Sequence, residues 1–180
     1  LVLMSCQERF TPKPNGYLRF DFEKKENVEF KIQDRLFSFY TADYFKMKTK
    51  KKNNDYWINL EYKKHNATIH LTHTKIKNNL SSLIEDTRGM VYKHTIKADA
   101  INEKNYSNQN NHSYGKLYDI EGRTASAVQF YLTDSTNNFL RGSLYFYTSP
   151  NQDSLKPVIN YLREDIITIM ETIQWENNDI

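Results

Sequence analysis

Alternation of apolar and polar positions is the first pattern along the chain. In residues 17–22, Leu18, Phe20 and Phe22 fall on one side of an extended backbone and Arg19 and Asp21 on the other, which predicts a half-buried strand. Residues 37–40 predict a second, short one. Across 56–62, Tyr56, Ile58, Leu60 and Tyr62 share one face, and across 67–74 Ile69 and Leu71 oppose His70 and Thr72. The period then changes. Leu80, Leu83, Ile84, Thr87 and Val91 recur at helical spacing, with Asn78 or Asn79 placed to cap the start and Gly89 near the end.

Strand patterns return at 95–101, 114–120, 125–133 and 139–147. The polar stretch 102–112 reads as a loop or hairpin tip, and Glu121-Gly122 as a turn. Residues 134–138 form a second turn, rich in side chains that bond their own backbone. After a break at 149–153 comes the clearest element, a helix over 157–175. Val158, Leu162, Ile166, Ile169, Met170 and Ile173 make its apolar stripe, with Ser154 as cap and Pro157 in the first turn. At 1.5 Å per residue this helix is about 28 Å long, enough to cross several strands. The order of elements predicts an α+β fold: a mostly antiparallel sheet covered by helices, with a long C-terminal helix.

Nothing repeats along the chain and no second linker interrupts it, so residues 17–180 are read as a single domain. With 38% hydrophobic and 26% charged residues, the chain is neither a disordered tail nor a membrane-embedded protein. No run of eighteen or more apolar residues predicts a bilayer span. A net charge of +3 is too small to imply nucleic-acid binding. Aromatics at 14%, in a chain poor in Gly and Pro, suit well-filled strand faces.

The single cysteine changes the picture more than any percentage. Leu1-Val2-Leu3-Met4-Ser5-Cys6 reads as the end of a signal peptide followed by a lipobox-like Cys, and residues 1–5 as the signal's remnant. Lipid on Cys6 is therefore expected. Each buried methylene contributes about 0.8 kcal/mol, and stable anchoring takes two or more acyl chains. The competing reading is a buried structural Cys. Residues 6–16 favour the anchor: 7–16 are polar, broken by Pro12 and Pro14, and span at most about 33 Å as a tether.

Candidate chemistry is sparse. His70 and His73 sit at odd spacing on one strand, so they point to opposite faces and are poor joint ligands. Neither His65, His94 nor His112 completes a metal motif, and no metal or cofactor is expected. Ser126, Ser135, Ser143 and Ser154 lack a nucleophile elbow, although His94 is available as a base, so no catalytic residue is assigned. Gly122 and Gly142 stand alone, without a phosphate loop.

Two polar loops remain: Asp134-Ser135-Thr136 and Asn151-Gln152-Asp153-Ser154, with Arg141 and Arg163 near them in sequence. Such residues ordinarily make turns and caps. As a recognition surface they give the candidate partner-binding set Asp134, Ser135, Thr136, Arg141, Asn151 and Asp153. Lys46, Lys48, Lys50, Lys51 and Lys52 read as a solvated variable loop over 46–55, with anionic lipid as the alternative contact.

Several segments carry a resemblance: YKHTIKADAI at 92–101, ASAVQFYLTDST at 125–136, FLRGSLYF at 139–146, NQDSLKPVINYLRED at 151–165, and PKPNGY at 12–17. Together they resemble the gliding-motility lipoprotein GldD family, from Cys6 to about Trp175. The resemblance implies an envelope lipoprotein of gliding bacteria of the Bacteroidetes type, required for gliding and linked to type IX secretion. It implies a non-enzymatic scaffold or assembly factor facing the periplasm, whose partners are other gliding or secretion proteins and a membrane reached through lipid on Cys6. An envelope binding module for a peptide, small molecule or cell-wall fragment is the alternative, and a hydrolase a further one. The order of elements also resembles a PsbP/Mog1-like α/β/α sandwich.

Overall fold

A computed structural model describes residues 21–32, 36–53, 55–147 and 152–176. Cys6, the tether, most of the strand expected at 17–22, and Asn151 lie outside these residues. Asp21 and Phe22 are described, and they are not in a strand.

The elements run β1 (Asn27–Lys31), β2 (Phe37–Ala42), β3 (Lys46–Lys52), β4 (Asp55–Tyr62), β5 (Ala67–Lys75), α1 (Leu80–Tyr92), β6 (Ala98–Asn108), β7 (Ser113–Gly122), β8 (Ser126–Thr133), β9 (Asn138–Phe146), α2 (Gln152–Thr172) and β10 (Gln174–Trp175). Seven strands form one sheet in the order β3-β4-β5-β9-β8-β7-β6, and β1-β2-β10 form a smaller one. Every pairing is antiparallel. The fold is α+β, as the element order predicts.

The large sheet has two unequal faces. Tyr56, Ile58, Leu60 and Tyr62 of β4 point inward beside Ile69 and Leu71 of β5, Leu140 and Leu144 of β9, and Phe130 and Leu132 of β8. Onto this face α2 and Ile173 just past its end lay the whole predicted stripe, Val158 through Ile173, each residue at most 2% exposed. The small sheet closes the core with Phe37 and Phe39, both fully buried. On the opposite face, α1 packs Val91 against Tyr118 and Ile120 of β7. Helices thus lie on both sides of the large sheet.

Four local expectations are corrected. The lysine-rich stretch is the edge strand β3, not a loop. On this edge Lys46, Lys48, Lys50 and Lys51 stay in water, so burial leaves no apolar signal to read. Residues 102–108 continue β6, the opposite edge, for the same reason. A 3-10 turn over Lys93–Ile96 takes the place of the strand start expected at 95. The C-terminal helix begins at Gln152, so Ser154 lies inside it and Pro157 sits in its second turn, at the cost of one helical hydrogen bond. It ends at Thr172, and Gln174 and Trp175 pair with Ser38 and Phe37 as β10.

An ionic clasp secures the first described segment. Lys25 Nζ lies 2.8 Å from Asp165 Oδ1 on α2, and Asp165 is 1% exposed. Tyr44 donates its hydroxyl to the other carboxylate oxygen. Phe22 stacks on Tyr161 with ring centroids 4.4 Å apart, and Tyr161 donates to the carbonyl of Glu23 at 2.8 Å. Burial pushes the Asp165 carboxyl above its ordinary value, while Lys25 and Tyr44 pull it back. Burial, then Asp165, push the Tyr44 phenol far up, so it stays a donor.

Candidate functional site

The predicted partner-binding residues separate in space. Asp134 builds the β8–β9 turn: its Oδ1 accepts the backbone N–H groups of Thr136, Asn137 and Asn138 at 2.9, 2.7 and 2.8 Å. Its Oδ2 accepts the side-chain amide of Asn138 at 2.6 Å. Burial opposes the Asp134 charge, yet the hydrogen bonds from Asn138, Asn137 and Thr136 hold the carboxyl below its usual value. Ser135 takes the left-handed conformation at φ 68°, its N–H bonded to Thr133 Oγ1 at 2.9 Å. Arg141 sits on the α1 side of β9, its guanidinium on the sulfur of Met90. Asp153 lies in the first turn of α2, which follows the other end of β9. Nine strand residues, about 30 Å, separate the two ends, so the start of α2 at Asp153 lies at the opposite end of β9 from the Asp134 turn. The antiparallel hairpin carries the chain away from the turn before the helix begins. Arg163, near these loops in sequence, belongs to a different site.

The turn reaches into the core through His73. Its Nε2 lies 3.0 Å from Asn138 Oδ1, to which Lys75 also donates. His73 is fully buried and flanked by Phe37 and Tyr56. His70, on the opposite face as predicted, meets Asn59 Oδ1 at 2.8 Å. Burial lowers the pKa of His73, and likewise those of His65, His70 and His94. A lowered folded pKa means that the unfolded chain takes up protons first. Stability is therefore full above the unfolded value of about 6.5 and falls as pH drops from there through the folded value. Melting temperature is expected to decline from pH 7 to pH 5, and His73→Leu to flatten part of that slope. An equal slope in the variant would exclude His73 as a contributor.

Ser126 spends its hydroxyl on the carbonyl of Val128 at 3.3 Å. Among the described residues no group of three His, Cys, Asp or Glu side chains is arranged to hold a metal ion. No helix among them is long and apolar enough to cross a membrane.

A concavity lies elsewhere. Because α2 packs over the middle of the large sheet, β7 and the edge strand β6 project past it, leaving a half-open trough of about 870 Å³. Lys156, Ile159, Asn160 and Arg163 form the helix wall, and Asn102, Lys104, Asp119 and Glu121 the sheet wall. Arg163 forks onto Asp119, Nε to Oδ1 at 2.6 Å and Nη2 to Oδ2 at 2.8 Å. Lys104 adds a contact to Asp119 at 3.7 Å, and Asn102 donates to Glu121 at 3.2 Å. The fork ties helix to sheet, and its hydrogen bond to Asp119, working against burial, raises the Arg163 pKa.

Two irregularities border the same place. The register of β6 against β7 shifts between Ala98 and Ala100, and that of β8 against β9 between Ser126 and Val128. Asp99, Ala127 and Val128 line the trough. Bulges of this kind re-aim side chains beside functional sites. None of this shows in the sequence: Arg163 and Asp119 are 44 residues apart, and either one alone reads as a solvated charge.

No curated protein sequence and no solved structure matches the chain. A family model described as gliding motility lipoprotein GldD matches residues 7–175. That span takes in both sheets, both helices and the whole trough, so the chain belongs to the gliding motility lipoprotein GldD family and is held to a membrane of the cell envelope.

Proposed function

We propose that this domain is a non-enzymatic scaffold or assembly factor for gliding, linked to type IX secretion, and that it faces the periplasm and holds another envelope protein in the trough between α2 and β6–β7. The observation that carries the proposal is the trough's chemistry. Eight of its fifteen lining residues are charged, four of each sign, which suits a polar protein segment better than a small apolar ligand. The Arg163–Asp119 fork joins the two walls before any partner arrives, and preorganisation lowers the cost of association. The outer edge of β6 adjoins it, so an extended partner segment can pair with the β6 backbone while its side chains enter the trough.

The test is photocrosslinking in living cells with a photoreactive residue at Asn160 or Asn102, and at Ser135 for comparison. Capture of one motility or secretion protein from both trough positions, and not from Ser135, is expected. Asn160→Trp, which fills the trough, is expected to cut that capture roughly tenfold, a loss of about 1.4 kcal/mol, and to impair gliding at normal protein abundance. Unimpaired gliding by Asn160→Trp cells would sink the proposal.

A further inference from the structure

The second face of the large sheet is only half covered. α1 packs on β8 and β9, and no described element covers β3, β4 and β5 beside it. Lys46, Lys48 and Lys50 alternate along β3 and so project on one side, about 7 Å apart. By register, Glu61, Asn59 and Trp57 of β4 stand on the same side, with Trp57 opposite Lys50. Trp57 is 44% exposed. Further across, Tyr145 of β9 meets His70 edge-on at 5.6 Å, and Arg141 stands opposite Thr72. β4 sets two carboxylates on this face, Glu61 paired with Lys48 at 2.6 Å and Asp55 accepting from the Thr74 hydroxyl at 2.8 Å.

Lysines on an edge strand also guard against edge-to-edge pairing. That role accounts for β3 but not for Trp57, which lies one strand in and keeps a large ring half in water. A row of cations beside an exposed indole and a phenol matches the layering of a lipid interface, where headgroup phosphates lie outermost and amphipathic rings sit just beneath.

We infer that this open face docks on the surface of an anionic phospholipid bilayer, with Lys46 and Lys50 on headgroup phosphates and Trp57 at the interface. Each lysine near such a surface multiplies partitioning about five-fold, so Lys46 and Lys50, with Lys48 paired to Glu61, give about twenty-five-fold. That is weak for a free protein and sufficient for a tethered one. Family membership places the domain beside a membrane. Cys6 precedes Asp21 by fifteen residues (21 − 6), about 50 Å of extended chain. Within that radius, docking is an intramolecular step at high effective concentration. The trough lies on the opposite face of the sheet, so docking leaves it open to a partner. The inference rests on this face and on membrane anchoring, not on the trough's proposed role.

The experiment uses the full chain with Cys6→Ser, so that no lipid carries it to a membrane. The chain has two tryptophans, and Trp175 is committed to Ser113 through its indole N–H at 2.9 Å. Vesicles mixing phosphatidylglycerol with phosphatidylcholine are expected to co-sediment the protein and shift Trp57 emission to the blue. Pure phosphatidylcholine vesicles, or high salt, are expected to do neither. The combined Lys46→Gln, Lys48→Gln and Lys50→Gln substitutions are expected to weaken binding about twenty-five-fold or more with an unchanged melting curve. Trp57→Phe is expected to lose the emission shift while still sedimenting. Equal binding by the triple variant, or no binding to anionic vesicles at low salt, overturns the inference. So does an equal emission shift with soluble dextran sulfate, which would assign the face to a polyanion instead.

Discussion

Lys25→Met is expected to lower stability at pH 7.5 by about 3 kcal/mol, the usual result of removing one partner from a buried ion pair, and by much less at pH 5. Asp165 is almost wholly buried and its carboxyl already titrates above the ordinary value, chiefly because of burial. Lys25 is the strongest influence holding it down. Without the ammonium, the folded pKa rises further. A raised folded pKa means that the folded state binds the proton first. Stability is then lost as pH rises from the unfolded value, about 3.9, through the folded value, and regained on acidification. The protonated acid still bonds the Tyr44 hydroxyl and leaves no unpaired charge at Asp165. Asp165→Ala separates the explanations. It leaves Lys25 and Tyr44 without the carboxylate, and acid cannot restore it, so a loss of about 4 kcal/mol is expected at both pH values. Urea unfolding of the three proteins at two pH values measures this. A Lys25→Met deficit that fails to shrink at pH 5 would show that the clasp acts by packing rather than by charge.

Gly115→Ala is expected to cost about 3 kcal/mol, the upper end for overpacking a close-packed interior, or about 9 °C in melting temperature for a chain of this size. A Cβ at Gly115 would lie 1.9 Å from the carbonyl oxygen of Tyr131 and 2.9 Å from its carbon. Both are backbone atoms of β8, so relief requires β7 to move away from β8. That motion would loosen Leu117, Tyr118 and Ile120, which carry the β7 contribution to both packed faces. Hydrogen exchange is expected to rise along β7 and β8 and not along β4. At Gly142 the added carbon would meet the ring of Phe130, 2.1 Å away, a side chain with its own rotamers. Gly142→Ala is therefore expected to cost less than Gly115→Ala. The reverse order would mean that the β7–β8 pair gives way more easily than the core around Phe130.

Much of the framework was legible in the sequence wherever burial is one-sided. The alternation in β4 and β5 named the inward residues, and the stripe on α2 named its buried face, because periods of 2 and 3.6 are imposed by backbone geometry before any tertiary contact. The two edge strands were not legible. β3 and β6 are polar because an edge lies in water, and a strand without an apolar face reads as a loop. The Asp134 turn was legible as a turn, which is what its hydrogen bonds make it.

By itself, the sequence determined the α+β class, the buried face of each central element, the family and, through the family, the attachment to a membrane. Only the tertiary structure decided where chemistry converges. Asp119 and Arg163, Lys25 and Asp165, and Lys50 and Trp57 each belong to different elements, and their meeting depends on sheet order, register and the placement of α2. The physical reason is range. Periodicity reports which side of an element is dry, a local property, whereas a site is set by distances between elements far apart along the chain. The trough exists because α2 stops short of the sheet's edge, and the open face because α1 covers only half of the other side.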